Sequence, residues 1–303
     1  MTRNKPVSIH DEVHSSSSKE HNESLDIRIL THNIRYATNA PFKGEERWPI
    51  RCPRLCSELV FNSIQPNSFI CLQEVLHLQL EDILESLNKS SSPGSQWAYI
   101  GVGRDDGKQA GEYSPIFYRP SVWHLTRSET QWLSPTPHVP SKGWDASSIR
   151  IVTVGHFTHA QTGRKIIVLS THLDNDGSQS RRESAKIILG EIQTITDTKD
   201  VSAILLAGDF NSPPDDGAYQ IMTSPDSIME DIGVKIPEEK RYGNEMTFTS
   251  FGYIDNTATR IDFIFSRKDD EVTYRTYAVL ANRFDDGVYS SDHRACVADL
   301  VLK

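Results

Sequence analysis

The sequence predicts an α/β protein in which two packed sheets are flanked by helices. Three observations lead there. About ten short β-rich runs recur from Leu25 to the end of the 303-residue chain. Helical spacing is interposed after some of them, and no Pro/Ser-rich linker is long enough to split the chain. Length alone permits two average domains or one large sandwich.

Residues 1–24 are polar, carry the run Ser15 to Ser18 and hold little that could be buried, so a disordered tail is expected there. The domain is expected over 25–303. DIRILTHNIRY (26–36) reads as a strand. RWPIRCPRLCSELVFNSI (47–64) turns to helical spacing, SFICLQEV (68–75) is a short buried strand ending at a carboxylate, and HLQLEDILESLN (77–88) is helical again. In that last helix Leu78, Leu80, Ile83, Leu84 and Leu87 are available for one face. WAYIGV, SPIFYRP, WHLTRSETQWL, IRIVTVGHFTHA, KIIVLSTHLD and SAILLAGDF follow as strands, with SRRESAKIILGEIQTI as a helix before the last. RIDFIFSR, VTYRTYAVL and HRACVADLVL complete the strand set.

A hydrophobic fraction of 37% with 24% charged residues suits a globular chain with a polar surface. The net charge of -9 repels polyanions at long range, which weighs against nonspecific duplex-DNA binding but leaves local nuclease chemistry open. Cys52, Cys56, Cys71 and Cys296 lack C-x-x-C pairing and read as reduced core thiols. No run approaches the ~20 apolar residues of a membrane span, and the first residues lack an apolar secretion segment. A cytoplasmic or nuclear protein without stable membrane insertion is expected; oligomeric state is not legible.

Strand ends carry polar residues that a buried strand would not normally bear: Asn33 after RILTH, Glu74 after FICLQ, His172 and Asp174-Asn175 after IIVLST, Asp209 and Asn211 after AILLAG. Sites in open sheets form at strand ends, where the core fixes the backbone and the following loop admits ligand. Each has a plainer reading. Asn33 suits a turn cap, Glu74 a helix cap, His172 a satisfied core position, and Asp209 with Asn211 a turn before Pro213-Pro214. Asp262, between Ile261 and Phe263, needs a partner to offset its desolvation, and Asp292-His293 supplies an imidazole that such a carboxylate would orient. Together these residues suit phosphate ester hydrolysis. A hard divalent ion, Mg²⁺ with Mn²⁺ as a substitute, would take Glu74 with Asn33 or Asp292; Asp209 would deprotonate water, Asn211 hold it, and His172 and His293 stabilise charge.

THNIRY, CLQEV, STHLDND, LAGDFNSPPDD, RIDFIF and SSDHR follow one another in an order that resembles the endonuclease/exonuclease/phosphatase superfamily, over residues 26–303. The resemblance implies a four-layered α/β sandwich with two mixed sheets. It implies ion binding by Asn33, Glu74 and Asp292, phosphate contact by His172 and Asn175, water activation by Asp209 with Asn211, and an Asp262–His293 dyad. CLQEV, GDFNSPPDDGAY and TFTSF are similar to the branch holding deadenylases, nocturnin and bacterial metal-dependent hydrolases. RW-x-x-R, GVGRDDGKQAGEYSPIFYR and GWDAS are closest to the bacterial type. GVGRDDG leads to a strand rather than a helix, so it is no dinucleotide loop. It is expected instead to select substrate, with Arg104, Lys108, Glu112 and Tyr118 facing the cleft, or to be plain loop decoration. The expected substrate is RNA or a small phosphorylated compound: first a phosphodiester, alternatively a metabolite or lipid-headgroup phosphate. A catalytically inactive scaffold is the remaining alternative.

Overall fold

The computed structural model describes residues 24–197, 201–252, 258–268 and 271–303. The expected tail thus falls, apart from Ser24, outside the described residues. Two sheets pack face to face. The first holds β1 (Leu25–Asn33), β2 (Ser68–Gln73), β3 (Ala98–Ile100), β4 (Ile116–Tyr118), β10 (Arg241–Gly243), β12 (Val272–Val279) and β13 (Cys296–Leu302), in the order β10-β12-β13-β1-β2-β4-β3. The second holds β5 (Trp123–Trp132), β6 (Ile151–His159), β7 (Lys165–His172), β8 (Ala203–Asp209), β9 (Met229–Asp231) and β11 (Asp262–Arg267), in the order β5-β6-β7-β8-β11-β9. Both are mixed: β1–β2 and β7–β8 run parallel, while β1–β13 and β8–β11 run antiparallel.

Strand alternation builds three hydrophobic layers from this pair of sheets. Ile27, Ile29 and Phe69 meet Phe157, Val168, Leu205 and Ile264 between the sheets. The residues of opposite parity, such as Leu30, Ile70 and Leu72, face α1 (Trp48–Asn62) and α2 (His77–Lys89) through Leu55, Leu59, Leu80 and Ile83. On the far side Leu169, Leu206 and Phe263 meet Ile188 and Ile192 of α3 (Ser178–Thr196) and Met222 of α4 (Gly217–Thr223). Helix, sheet, sheet and helix make the four layers expected.

Differences from the sequence reading are local. Leu78 is 61% exposed, because two positions from Leu80 is nearly the opposite side of a helix of 3.6 residues per turn; the buried stripe is Leu80, Ile83 and Leu87. The three-residue strands β9 and β10, the short α4 and the one-turn α5 (Ile232–Lys235) are too brief for periodicity to register. All four cysteines are free thiols, as expected, with Cys52 half-buried and the rest buried.

Phe157 lies 4.9 Å from both the Phe69 and Tyr118 rings, joining the two sheets. Replacing it by Ala is expected to cost about 3–5 kcal/mol, read as a fall in the urea midpoint without loss of the transition's cooperativity.

Candidate active site

Register brings the strand ends together. In the first sheet Asn33 pairs with Gln73, so Glu74 follows beside it; in the second, His172 pairs with Asp209, and Asp209 with Asp262. Packing the sheets then sets Asn33 against Asp209, with Asn33 Nδ2 donating to Asp209 Oδ2 at 2.9 Å and to Glu74 Oε1 at 3.0 Å. Arg35, Glu74 and Asn211 all have positive φ, at 57°, 58° and 46°, a conformation bulky residues hold only where their surroundings enforce it. At Glu74 the enforcement is visible: its Oε2 accepts the Tyr36 backbone N–H at 3.1 Å, and Arg35 Nη1 lies 3.7 Å away.

The expected dyad is formed. His293 Nδ1 lies 2.8 Å from Asp262 Oδ2, and its Nε2 faces Asp209 Oδ2 at 3.7 Å. Burial opposes a charge on His293, but Asp262 and Asp209 outweigh it and hold the imidazolium well above its ordinary range. Burial, reinforced by the charge of Asp262, pushes the Asp209 carboxyl up to about 7. The second histidine behaves oppositely. Burial and the nearby positive charges of Arg150 and Arg104 hold His172 well below its usual pKa. Asn211 Nδ2 donates to Leu173 O and lies 3.0 Å from His172 Nε2; this orients the amide, makes Nε2 an acceptor and leaves the proton on Nδ1.

Asp292 is buried, its carboxylate accepting from Ser291 Oγ at 3.3 Å, while its backbone carbonyl accepts from Thr249 N and Oγ1. Burial and the charge of Glu74 raise its pKa. Asp262 Oδ1 is buried without a hydrogen-bond partner among the described residues. A pocket of crowded carboxylate oxygens fits a hard divalent cation. Glu74 and Asp292, near enough for the charge of one to act on the other, would be the residues to hold it. Asn33 differs from expectation in one respect. Its Oδ1 accepts the Arg35 N–H at 3.0 Å, so its amide nitrogen, not its oxygen, faces Glu74 and Asp209. Asp209, Asp262 and His293 also offer ligand atoms within 4.8 Å of one another. There, however, an ion would compete with the 2.8 Å hydrogen bond, which favours the dyad.

Around the substrate side lie residues of two loops. Arg104 Nη1 donates to Glu112 Oε2 at 2.7 Å, and that oxygen is 3.8 Å from His172 Nδ1. Burial and then the charge of Glu74 push Glu112 up to about 7. Arg150 Nη2 donates to Asn175 Oδ1 at 2.8 Å, so Asn175 is held at the rim. Tyr118, expected in the cleft, is not there: it sits in β4 between the sheets, its ring 4.9 Å from that of Phe157, because strand alternation turns it inward. Lys108 is exposed on the loop. Sequence reasoning missed Arg150 and the anchoring role of Asp174. An Arg against the apolar run IVTV carries the same warning as Asp262 within RIDFIF, that a charge there needs a partner.

No described helix is long and apolar enough to cross a membrane. Sandwich, dyad, buried carboxylate of raised pKa and crowded oxygen donors together define a metal-dependent phosphoester hydrolase. More particularly, residues 30–293 match the model of the Endonuclease/Exonuclease/phosphatase family, and the chain belongs to that family. A family member of solved structure from Bacteroides vulgatus is 33% identical with a TM-score of 0.79, over 92% of this chain and 100% of its own. A mannosyl-6-phosphatase of Bacteroides thetaiotaomicron is 31% identical with a TM-score of 0.78, over 91% and 100%. The human nocturnin catalytic domain, 16% identical with a TM-score of 0.67 over 93% and 97%, shares the fold.

Asp174 anchors the rim. Its carboxylate accepts the backbone N–H groups of Ser147, Ser148, Asp176 and Gly177 at 2.7–3.1 Å. Burial opposes the charge, but these bonds and Arg150 prevail and bring its pKa down to about 2 from 3.8. A depressed carboxyl stabilises above its unfolded pKa and loses that contribution as pH falls through the folded one. Asp174→Asn is therefore expected to lose about 2 kcal/mol at neutral pH. In denaturant titrations the gap between parent and variant should close as pH falls from about 4 to about 2.

Proposed function

We propose that the protein hydrolyses a terminal phosphate from a small phosphorylated compound of the sugar-phosphate class, with Mg²⁺ as its ion. The observation that carries this reading is a set of buried nitrogens without hydrogen-bond partners among the described residues at one end of the cleft: Arg150 Nη1, Arg104 Nε and His172 Nδ1. The three groups lie near enough for their charges to act on one another, and they would offer N–H groups to the several acceptor oxygens of a phosphate monoester in place of the Glu112 and Asp105 carboxylates, which lie 3.8 Å from His172 Nδ1 and Arg104 Nε. The mannosyl-6-phosphatase likeness at 31% identity supports the same class. RNA cleavage has fold-level likeness alone behind it, and a net charge of -9 does not draw a long polyanion.

In this reading Arg104, Arg150 and His172 Nδ1 hold the phosphate oxygens, with Asn175 fixing Arg150. Asp209, raised to about 7, takes the proton of the attacking water while Asn33 Nδ2 and the Asn211 N–H hold its carboxylate in place. His293, kept cationic by Asp262, faces that carboxylate and offsets negative charge as it grows on the phosphoryl oxygens. A divalent ion held by Glu74 and Asp292 would act as a Lewis acid on a phosphate oxygen.

Asp209→Ala and His293→Ala are each expected to lower kcat at least ~10²-fold, and EDTA to abolish turnover until Mg²⁺ or Mn²⁺ is restored. The check is a panel of hexose phosphates, nucleotides, oligo(A) and single-stranded DNA. Cleavage confined to the oligonucleotides would refute the small-substrate reading, and wild-type turnover in either variant would refute the mechanism.

A further inference from the structure

The motif GWDAS places Trp144 in a conformation that folding alone does not favour. Its φ is 44°, and a bulky side chain at positive φ is a genuine outlier. The residue is also 37% exposed, and its ring has no aromatic, cation or hydrogen-bond partner among the described residues. Strain and exposed apolar surface thus coincide in one residue. Such outliers persist only where the surroundings enforce them, and they gather at binding sites.

The neighbouring residues enforce it. Before Trp144, Gly143 passes so close to the neighbouring strand end that a Cβ would lie 2.6 Å from Leu133 O, and Gly143 O accepts the Ala146 N–H in a tight turn. After it, the Asp145 carboxylate accepts the N–H groups of Gln179 and Ser180 at 3.1 and 2.7 Å, capping the start of α3. Ser147 then donates to Asn175 Oδ1 at 3.1 Å. The other end of the same loop begins at Trp132, whose Nε1 donates to Arg104 O at 2.7 Å and whose ring lies against Gly107. The loop carrying Trp144 is therefore fastened to the Arg104 loop on one side and to the Asn175 segment on the other. Those are the two segments that flank the proposed phosphate donors.

We infer that Trp144 is a specificity-determining residue, a fixed platform on which the ring of the leaving group stacks while its phosphate lies among Arg104, Arg150 and His172. The substrate class that fits is a cyclic monosaccharide phosphate, whose C–H-rich ring face packs on an indole as it does on any large apolar plane. This rests on the small-substrate reading above and adds the part of the substrate beyond its phosphate. Trp144 touches no reacting atom, so it acts on binding and not on the chemical step.

The test compares the parent, Trp144→Ala, Trp144→Phe and Trp144→Gly on a hexose 6-phosphate and on ringless glycerol phosphate, with Mg²⁺ present. Trp144→Ala is expected to raise KM for the hexose phosphate about tenfold with kcat unchanged, and to leave glycerol phosphate unaffected. Trp144→Phe should recover most of the KM. Trp144→Gly should show the same KM defect while its Tm stays level or rises, because glycine adopts this φ freely. A parent active on hexose phosphate whose KM is unmoved in Trp144→Ala, or moved equally for glycerol phosphate, overturns the platform alone. A parent inactive on hexose phosphate but active on nucleic acid overturns the small-substrate reading and the platform with it.

Discussion

Burying Asp209, Asp262 and Asp292 beside Glu74 concentrates like charge where water screens it poorly, and most of the site's architecture answers that crowding. Arg35 and His293 each stand against two or more of these groups, and a divalent ion would complete the neutralisation. The crowding has a use. Burial first, and the charge of Asp262 after it, raise Asp209 into the range where a carboxylate could serve as a base near neutrality, which an isolated surface aspartate could not.

That arrangement requires rigid supports, because a displacement of one ångström would change every interaction in it. The sheets supply the first level, with parallel neighbours presenting Asn33 beside Gln73 and His172 beside Asp209. Arg51 supplies the second. It is fully buried in α1 and donates to the carbonyls of Ile34, Arg35, Glu46 and Ser290, tying the segment after Asn33 to the segment before Asp292. Its place in RW-x-x-R accounts for that motif as structural support beneath the ion site.

Much of this was legible in the residues. Asp262 between apolar neighbours demanded a partner, and His293 is that partner; polar strand ends marked Asn33, Glu74, His172 and Asp209, each of which alone also suited a cap, a turn or the core. Less legible was anything decided by side-chain direction or by long-range packing. Tyr118 lies close in sequence to the Arg104 loop, yet alternation along a three-residue strand turns it into the core. Which atom of Asn33 faces the carboxylates follows from one backbone N–H, that of Arg35, and from no pattern in the sequence. Arg150 and Asp174 are 24 positions apart and become a pair only through the fold.

The two histidines show why residue type alone leaves roles undetermined. Both are buried, and burial disfavours charge on each. The charges of Asp262 and Asp209 outweigh burial at His293 and raise its pKa; His172 also lies 3.4 Å from Asp209 Oδ2 and 3.8 Å from Glu112 Oε2, but burial and the charges of Arg150 and Arg104 hold its pKa down. A cation beside the general base offsets growing negative charge. A neutral imidazole presenting Nδ1–H beside two guanidinium groups binds a phosphate without adding a third positive charge, whose repulsion would raise the energy of the phosphate-free site. The neighbours of each ring, set by strand register, therefore decide which pKa is raised and which lowered, and in the proposed reaction which histidine would serve the chemistry and which the substrate.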